Sequence, residues 1–562
     1  MSPAHERVDR AHVHVYETLV FVLFPLGVRM RSLLIAGVGL LLVISGCKSD
    51  PTTPEHWAKR IEGAKGKKEK LKAIEDLREH HMGPAMLPML HERLNAEKSS
   101  EVKRDIARVL GEAKSESSIE PLTNAVVWSP SDTDEKGLDK EIATALGNIA
   151  SPKAAATLVK LLTVKDNYTV LASIDALGEL KSPEGFDALN AIATDDSQET
   201  FVTKKAIIAL GNLGDKRAIP TLVKAMFKER KGVSFYLESS FALYQMGTPA
   251  ADALLGALDG TDKALYEWAA KSNVKDVALQ AKSAQVLGDL HDMRAEKALL
   301  GMLNPKTDYD DIRAILQGRA ADALGRMRSK AAVKPLSALV TDAKTDAGVV
   351  RECVFALVRI GNPEGVPALI TFLGKAPYWD ARDEIMRGIT LMGTDKDIPA
   401  FDKATADEAK KTEEGCKGEE ESHPDCKAGI PEAVKRHTDR VKAHRERLVA
   451  SGECKNDSAC WAKKLDDKSD MVRERAAAEV GRGNNAAQAP ELFKRLKEQN
   501  LDARLSIIQA TDWLVNDNAE AMKAAKGILP DLEKQLKDEK GKTDFVKINE
   551  DLRRLYVRIQ RG

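Results

Sequence analysis

The sequence predicts an all-α protein, a right-handed solenoid of stacked antiparallel helix pairs. Three observations predict it. A helical motif returns along most of the chain at intervals near 34 residues. Glycine and proline recur at fixed places within each copy. Across 562 residues the chain is 43% hydrophobic but only 5% aromatic, which suits close-packed Ala/Leu helices and not a β-sandwich.

The motif runs from about residue 101. Each copy is a helix ending in Ala-x-x-Leu-Gly or a variant, a tight turn, and a second helix of the form Ala-x-x-x-Leu-x-x-x-Leu. The clearest copies are Glu141–Gly147, Ser173–Gly178, Ala206–Gly211 and Ala320–Gly325. Weaker ones centre on Leu110, Leu243, Leu287, Leu357 and Leu391. Consecutive anchors such as Leu146, Leu177, Leu210 and Leu243 stand 31 to 33 residues apart. Apolar residues at i, i+3/i+4 and i+7 put one stripe toward a neighbouring helix. Alanine allows close approach. Gly147, Gly178, Gly211 and Gly325 are expected at helix ends, in the left-handed conformation that satisfies the last carbonyls. Pro121, Pro220, Pro335, Pro367 and Pro399 fall early in second helices, where a missing N–H has no intrahelical partner. One helix pair cannot bury its own stripe, so the pairs must stack. The first copy, near residues 71–90, is degenerate and follows a helix start at Thr53-Pro54-Glu55, as a capping repeat should. Longer connections at 128–136, 260–275 and 304–311 are expected contact loops.

Leu391 and Val480 stand 89 residues apart, about one repeat plus an insertion. The insertion carries Cys416 and Cys426, a Lys-, Arg- and His-rich helix from about residue 431 to 450, then Cys454 and Cys460. Two local disulfides, Cys416–Cys426 and Cys454–Cys460, are expected, although four cysteines allow three connectivities and sequence alone selects none. A metal site from Cys416, His423, Cys426 and Cys454 is the alternative. His437 and His444, seven residues apart on one helix face, read as a solvated face. Cys353, among Val350, Val354 and Phe355, reads as a buried inert thiol. The repeat resumes at Met471–Gly481 and Leu505–Leu514, and a charged helix from about 544 to 559 reads as a closing cap.

The repeats resemble HEAT repeats, in particular the short type named after phycocyanobilin lyase subunits, over residues 65–402 and 471–515. Tyr244, Val358 and Met392 depart from the pattern in place of the glycine after the anchor leucine. There Gly247, Gly361 and Gly393 are expected to end the helix slightly later. The resemblance implies a curved surface that displays residues to an extended protein partner. Lys160, Lys224, Lys334 and Thr371, on second helices, are expected to face the groove, with Trp128 and Trp379 as further contact residues. Two enzyme groups share the repeat. The iron-dependent deoxyhypusine hydroxylases carry His-Glu pairs on several helices, whereas here His-Glu occurs at His5-Glu6 and His91-Glu92. The bilin lyases attach tetrapyrroles to cysteine. A phosphate-binding glycine loop, Gly-x-Ser-x-Gly and His-Glu-x-x-His are absent from the sequence. The expectation is therefore a non-catalytic, monomeric scaffold without metal or cofactor. Its zero net charge gives no basis for nucleic-acid binding. The alternative is an enzyme or metal-binding protein using residues 403–470, or a bilin-lyase-like activity.

The N-terminal stretch from Met30 to Cys47 opens on Arg31, runs through apolar residues from Leu33 to Ile44, and ends Ser45-Gly46-Cys47. It is too short to span about 30 Å of hydrocarbon, which takes roughly 20 residues, and has the length of a signal h-region. It resembles a bacterial lipoprotein signal peptide with its lipobox. Joining it to the earlier run Leu19–Leu26 would place Arg29 and Arg31 mid-membrane, at about 2.5–3.5 kcal/mol each. The start is therefore read at Met30 in preference to Met1. The expected organisation is residues 1–46 removed, a lipidated tether at 47–54 beginning with Cys47, repeats at 55–402, the cysteine insertion at 403–470 and closing repeats at 471–562. Localisation is expected at a bacterial envelope, lipid-anchored at the outer membrane and facing the periplasm, where disulfides form.

Overall fold

A computed structural model of the chain describes residues 50–128, 137–375, 379–419, 424–539 and 546–562. Cys47 with the rest of the signal segment, and His423, lie outside the described residues, as does the side chain of Trp379. Residues Pro51–Gly562 form one compact unit. The fold is all-α, with a single short hairpin among the described residues pairing Glu229–Arg230 with Val233–Ser234.

One repeat shows how the sequence builds the unit. Asp166 caps the Asn167–Leu180 helix by accepting hydrogen bonds from the Tyr168 and Thr169 N–H groups, which otherwise have no intrahelical acceptor. Val170, Ile174 and Leu177 are buried on its core stripe. Lys181, at φ 52°, ends it in the left-handed conformation. A 3-10 turn at Pro183–Gly185 then leads into the short helix Phe186–Thr194. Equivalent long helices are Ser100–Glu112, Leu138–Ile149, Thr200–Leu213, Tyr236–Met246, Asp276–Leu290, Asp310–Arg326, Ala347–Ile360 and Trp379–Met392. Pro220, Pro367 and Pro399 each take the second position of a short helix, and Pro121 and Pro335 the third, as expected.

The motif glycines do something other than end helices. Gly147, Gly178, Gly211 and Gly325 lie inside their helices. The left-handed positions come later, at Ala150, Lys181 and Gly214, with Arg328 following the Asp310–Arg326 helix. The glycines are needed because the next repeat's alanine packs on their backbone. A Cβ on Gly178 would lie 2.9 Å from Ala209 Cα, and one on Gly325 2.6 Å from Ala356 Cα. The same contact recurs at Gly111–Ala145, Gly211–Ala242, Gly288–Ala323 and Gly481–Ala510. Gly247 and Gly361 do cap their helices with positive φ, and Gly393 follows Met392.

The insertion is not an appendage. Its 25-residue helix, Ile430–Cys454, packs on both Trp379–Met392 and the returning repeat helix Asp470–Arg482. Leu448 joins the core of the earlier repeats, while Ala450 and Cys454 join the core of the last ones. Cys416–Cys426 and Cys454–Cys460 are disulfide-bonded, and Cys353 is a buried thiol whose pKa burial raises to about 12. His437 and His444 are not solvated. They are 2% and 1% exposed, because this helix occupies a repeat-helix slot and its seven-residue face points inward.

The final helix, Val546–Arg561, closes the last repeat through Leu552, Leu555 and Ile559, and also reaches back across the array. Its Val557 belongs to the core of the earlier repeats. Tyr244 Oη donates to the Arg554 carbonyl at 2.9 Å, and Arg558 Nη2 donates to the Asp289 carbonyl at 2.8 Å. Arg558 Nε also pairs with Asp512 at 2.6 Å. The final helix thus meets the long helices Tyr236–Met246 and Asp276–Leu290 toward their C-terminal ends.

Two glycine substitutions should separate packing from helix propensity. Gly301, in Glu296–Met302, has nothing within 4 Å of an added Cβ, so Gly301→Ala should stabilise by about 0.5–1 kcal/mol. Gly325→Ala should destabilise by about 1–3 kcal/mol through overpacking. Urea unfolding of both variants measures the difference. Under the chain-entropy account, the disulfide loops, with separations of 10 and 6 residues, should each contribute about 2–3 kcal/mol. Unfolding with and without reductant tests this, and Cys353 should stay unreactive toward a thiol reagent until the chain unfolds.

Candidate functional site

Two surfaces carry the strongest functional signals, and they lie in different parts of the array. The first is a shallow groove across the consecutive long helices Leu138–Ile149, Asn167–Leu180 and Thr200–Leu213. Tyr168 and Phe201 stand over it, 71% and 58% exposed. Each is the second residue of its helix, and they are 33 residues apart, one repeat. Helix start, cap and anchor leucine are in register there, so the repeat itself places the two rings side by side. The groove floor carries Leu171 and Ala172, and Lys205 Nζ pairs with Asp175 at 2.8 Å along its length. Both rings are exposed, in a chain only 5% aromatic.

The expected contact residues lie elsewhere. Lys160, Lys224, Lys334 and Thr371 are exposed, but on short helices. The long helices approach backbone to backbone at every Gly–Ala contact, and in the C-terminal part their faces meet one another. They therefore form the inner layer, and the short helices the outer one, so these four residues do not face the groove. Lys160 Nζ instead sits 3.9 Å over the Trp128 ring, and Lys224 Nζ 5.9 Å from that of Trp268; Thr371 Oγ1 donates to the Pro367 carbonyl. Trp379 lies at the start of the Trp379–Met392 helix. Sequence reading missed Tyr168 and Phe201; the available signal was an aromatic recurring at one repeat's spacing just after a helix cap.

The second surface is the closed C-terminal interior, which holds an unusual density of buried charge. His444 Nε2 lies 2.9 Å from Asp383 Oδ1, and Arg447 Nη1 lies 2.8 Å from His444 Nδ1. A guanidinium can only donate, so Nδ1 is the acceptor and the Nε2–H donates to Asp383. Arg447 also pairs with Glu474, which Arg387 Nε contacts at 2.8 Å. Thr390 Oγ1 stands 3.5 Å from the same imidazole, yet it is fully buried and donates to the Met386 carbonyl. In this Thr–His–Asp set Thr390 and His444 are buried, while the Asp383 side chain is 28% exposed. His437 with Arg382 and Glu408 forms a similar buried cluster. His91 Nε2 bonds Ser118 Oγ at 2.8 Å. Among the described residues no group of three or more His, Cys, Asp or Glu side chains is disposed to hold a metal ion. The cysteines considered for one, Cys416, Cys426 and Cys454, are disulfide-bonded.

Repeat geometry and sequence together make this chain a HEAT-repeat α-solenoid. Residues 131–202 and 310–390 match HEAT repeats, and residues 204–228 match the PBS lyase HEAT-like repeat. The chain is similar to deoxyhypusine hydroxylase of Candida albicans, with 28% identity over 220 residues. That alignment takes in 35% of this chain and 66% of the relative's length. Among solved structures it is similar to human deoxyhypusine hydroxylase in complex with glycerol, at 20% identity and TM-score 0.21, covering 50% of this chain and 99% of that one. Similarity also extends to the CpcE–CpcF complex of phycocyanin lyase from Nostoc, at 20% identity and TM-score 0.26, covering 49% and 96%. Importin beta aligns at 13% identity and TM-score 0.40, covering 89% and 67%. The expectation that the chain is not an enzyme is overturned by the curated relative, which is an enzyme that aligns over 220 residues.

The buried imidazoles give the interior a defined pH response. Burial lowers the pKa of His444, and burial with Arg558, Arg326 and neighbouring arginines lowers that of His291 well below its usual value. A lowered histidine pKa favours the neutral folded form. Its contribution is fully present above about pH 6.5 and is lost as pH falls below it, where the unfolded chain alone takes the proton. Unfolding free energy should therefore drop on acidification from pH 7 to 5, by up to about 1.4 kcal/mol per pH unit for each imidazole. His444→Gln should flatten that slope, as read by urea unfolding at stepped pH.

Proposed function

We propose that this HEAT-repeat protein binds a protein partner on the inner face of its N-terminal long helices, at a membrane to which Cys47 attaches it. The observation that carries the reading is the repeat-registered pair of exposed rings, Tyr168 and Phe201. A partner segment with two apolar side chains would cover both, and aromatic anchors of this kind commonly dominate binding energy. The Lys205–Asp175 pair between them offers polar contacts at the rim. The membrane part of the proposal rests on the sequence from Met30 to Cys47. A mature lipoprotein cysteine carries several acyl chains and so holds firmly to a bilayer.

A photo-crosslinkable residue at position 168 should trap a partner in membranes, whereas one at Lys334, on the outer layer, should not. Tyr168→Ser with Phe201→Ser should lower affinity for that partner by at least about tenfold. Equal trapping at both positions would overturn the assignment of this face. Cys47→Ala should move the protein to the soluble fraction or leave its precursor uncleaved. Unchanged membrane association would remove the anchor from the proposal.

A further inference from the structure

We infer that the closed C-terminal interior contains a binding site for a small amphipathic organic anion, a carboxylate with an apolar body. This site is separate from the partner face and does not depend on it. Where the long helices Ala347–Ile360 and Trp379–Met392 face Asp470–Arg482 and Leu501–Asp517, the inner surfaces do not fill the space between them. They leave a cavity of about 270 Å³. The hollow is open to solvent on one side, so a ligand could enter it. It is near the small end of ligand pockets, which typically combine apolar walls with a few placed polar groups.

The wall chemistry states what would fit. Phe355, Val358, Leu391, Leu505 and Trp513 supply an apolar surface contributed by both sides of the closure. Among the described residues, Arg359, Arg387, Arg482 and Lys547 are the charged residues of the wall. Their carboxylate partners stand outside the wall. Asp322 binds Arg359 Nη1 at 2.6 Å, Glu479 binds Arg482 Nη1 at 2.6 Å, Glu474 binds Arg387 Nε at 2.8 Å and Asp551 binds Lys547 at 2.7 Å. Each cation is thus held in place by a carboxylate beyond the wall while the cavity itself presents positive groups.

Arg482 closes one corner of the wall, where its Nη1 donates to the Leu391 carbonyl at 3.0 Å. Its guanidinium lies against Gly361, at φ +68°, where an added Cβ would be 2.1 Å from Nε. The glycine therefore lets the guanidinium occupy that place. A carboxylate among these guanidinium groups would find charge-assisted donors in the geometry Arg provides. The ligand's body would rest against Phe355, Val358 and Trp513. Lys547 has a side chain 47% exposed and marks the entrance.

The test uses the purified full chain and anilinonaphthalene sulfonate, an aromatic anion whose fluorescence rises in apolar surroundings and which can accept energy from Trp513. Octanoate and octylamine, matched in shape and opposite in charge, serve as competitors. The expected result is saturable binding with one site per chain, displaced by octanoate at concentrations at least tenfold below those needed for octylamine. Lys547→Gln, at the exposed rim, should weaken binding severalfold without loss of helical circular dichroism. Arg359→Gln should weaken it about tenfold, and Val358→Trp, which fills the cavity, should abolish it. If Val358→Trp does not fold, Lys547→Gln and the competitor pair decide. Absence of saturable binding, equal displacement by the two competitors, or unaltered binding in Lys547→Gln would overturn the proposal. Unaltered binding in a folded Val358→Trp variant would do the same.

Discussion

The contact of a motif glycine with the next repeat's alanine sets the geometry on which the rest of this protein depends. At Gly178–Ala209 and Gly325–Ala356 two helix backbones meet with no side chain between them. Glycine inside a helix costs about 1 kcal/mol relative to alanine, so its recurrence needs a packing reason, and the missing Cβ is that reason. Long helices drawn this close together become the inner layer. The short helices, introduced by 3-10 turns and early prolines, form the outer one. Residues such as Lys334 and Thr371 are carried outward with them, while Tyr168 and Phe201 come to lie on the inner face.

The same close spacing lets the C-terminal part close against the middle of the chain. Closure brings charged side chains into a largely buried interior, where an unpaired charge is costly. The buried groups accordingly come in linked sets: Asp383–His444–Arg447–Glu474–Arg387, and Asp289 and Asp512 with Arg554 and Arg558. The insertion belongs to this closure. Its long helix takes a repeat-helix slot and lends its histidines to the network, and its disulfides brace the turns at either end. The N-terminal long helices keep an open face with exposed rings. One array of a single repeat type therefore offers two different environments, a surface suited to a macromolecule and an interior suited to a small anion.

The curated enzyme that this chain resembles aligns with 35% of it. Short catalytic motifs such as His-Glu-x-x-His are local in sequence. In a solenoid, side chains that share a cavity come from helices far apart in the chain, as Phe355, Arg482 and Lys547 do here. A search for short motifs does not register such a set.

Periodicity alone determined that this chain is a stack of helix pairs and that the insertion interrupts the array. Each of these follows from contacts within a repeat or between consecutive repeats, which a spacing of about 33 residues writes directly into the order of Leu, Ala, Gly and Pro. The disulfides join cysteines close in sequence, one of the three pairings the sequence allows. Tertiary structure decided the rest: that the motif glycines are contact points and not helix ends, that His437 and His444 face inward, and that the final helix returns to Tyr244 and Asp289. Those outcomes depend on which surfaces meet after superhelical closure, across separations such as the 310 residues between Tyr244 and Arg554, and a repeat pattern carries no term for contacts beyond the neighbouring repeat.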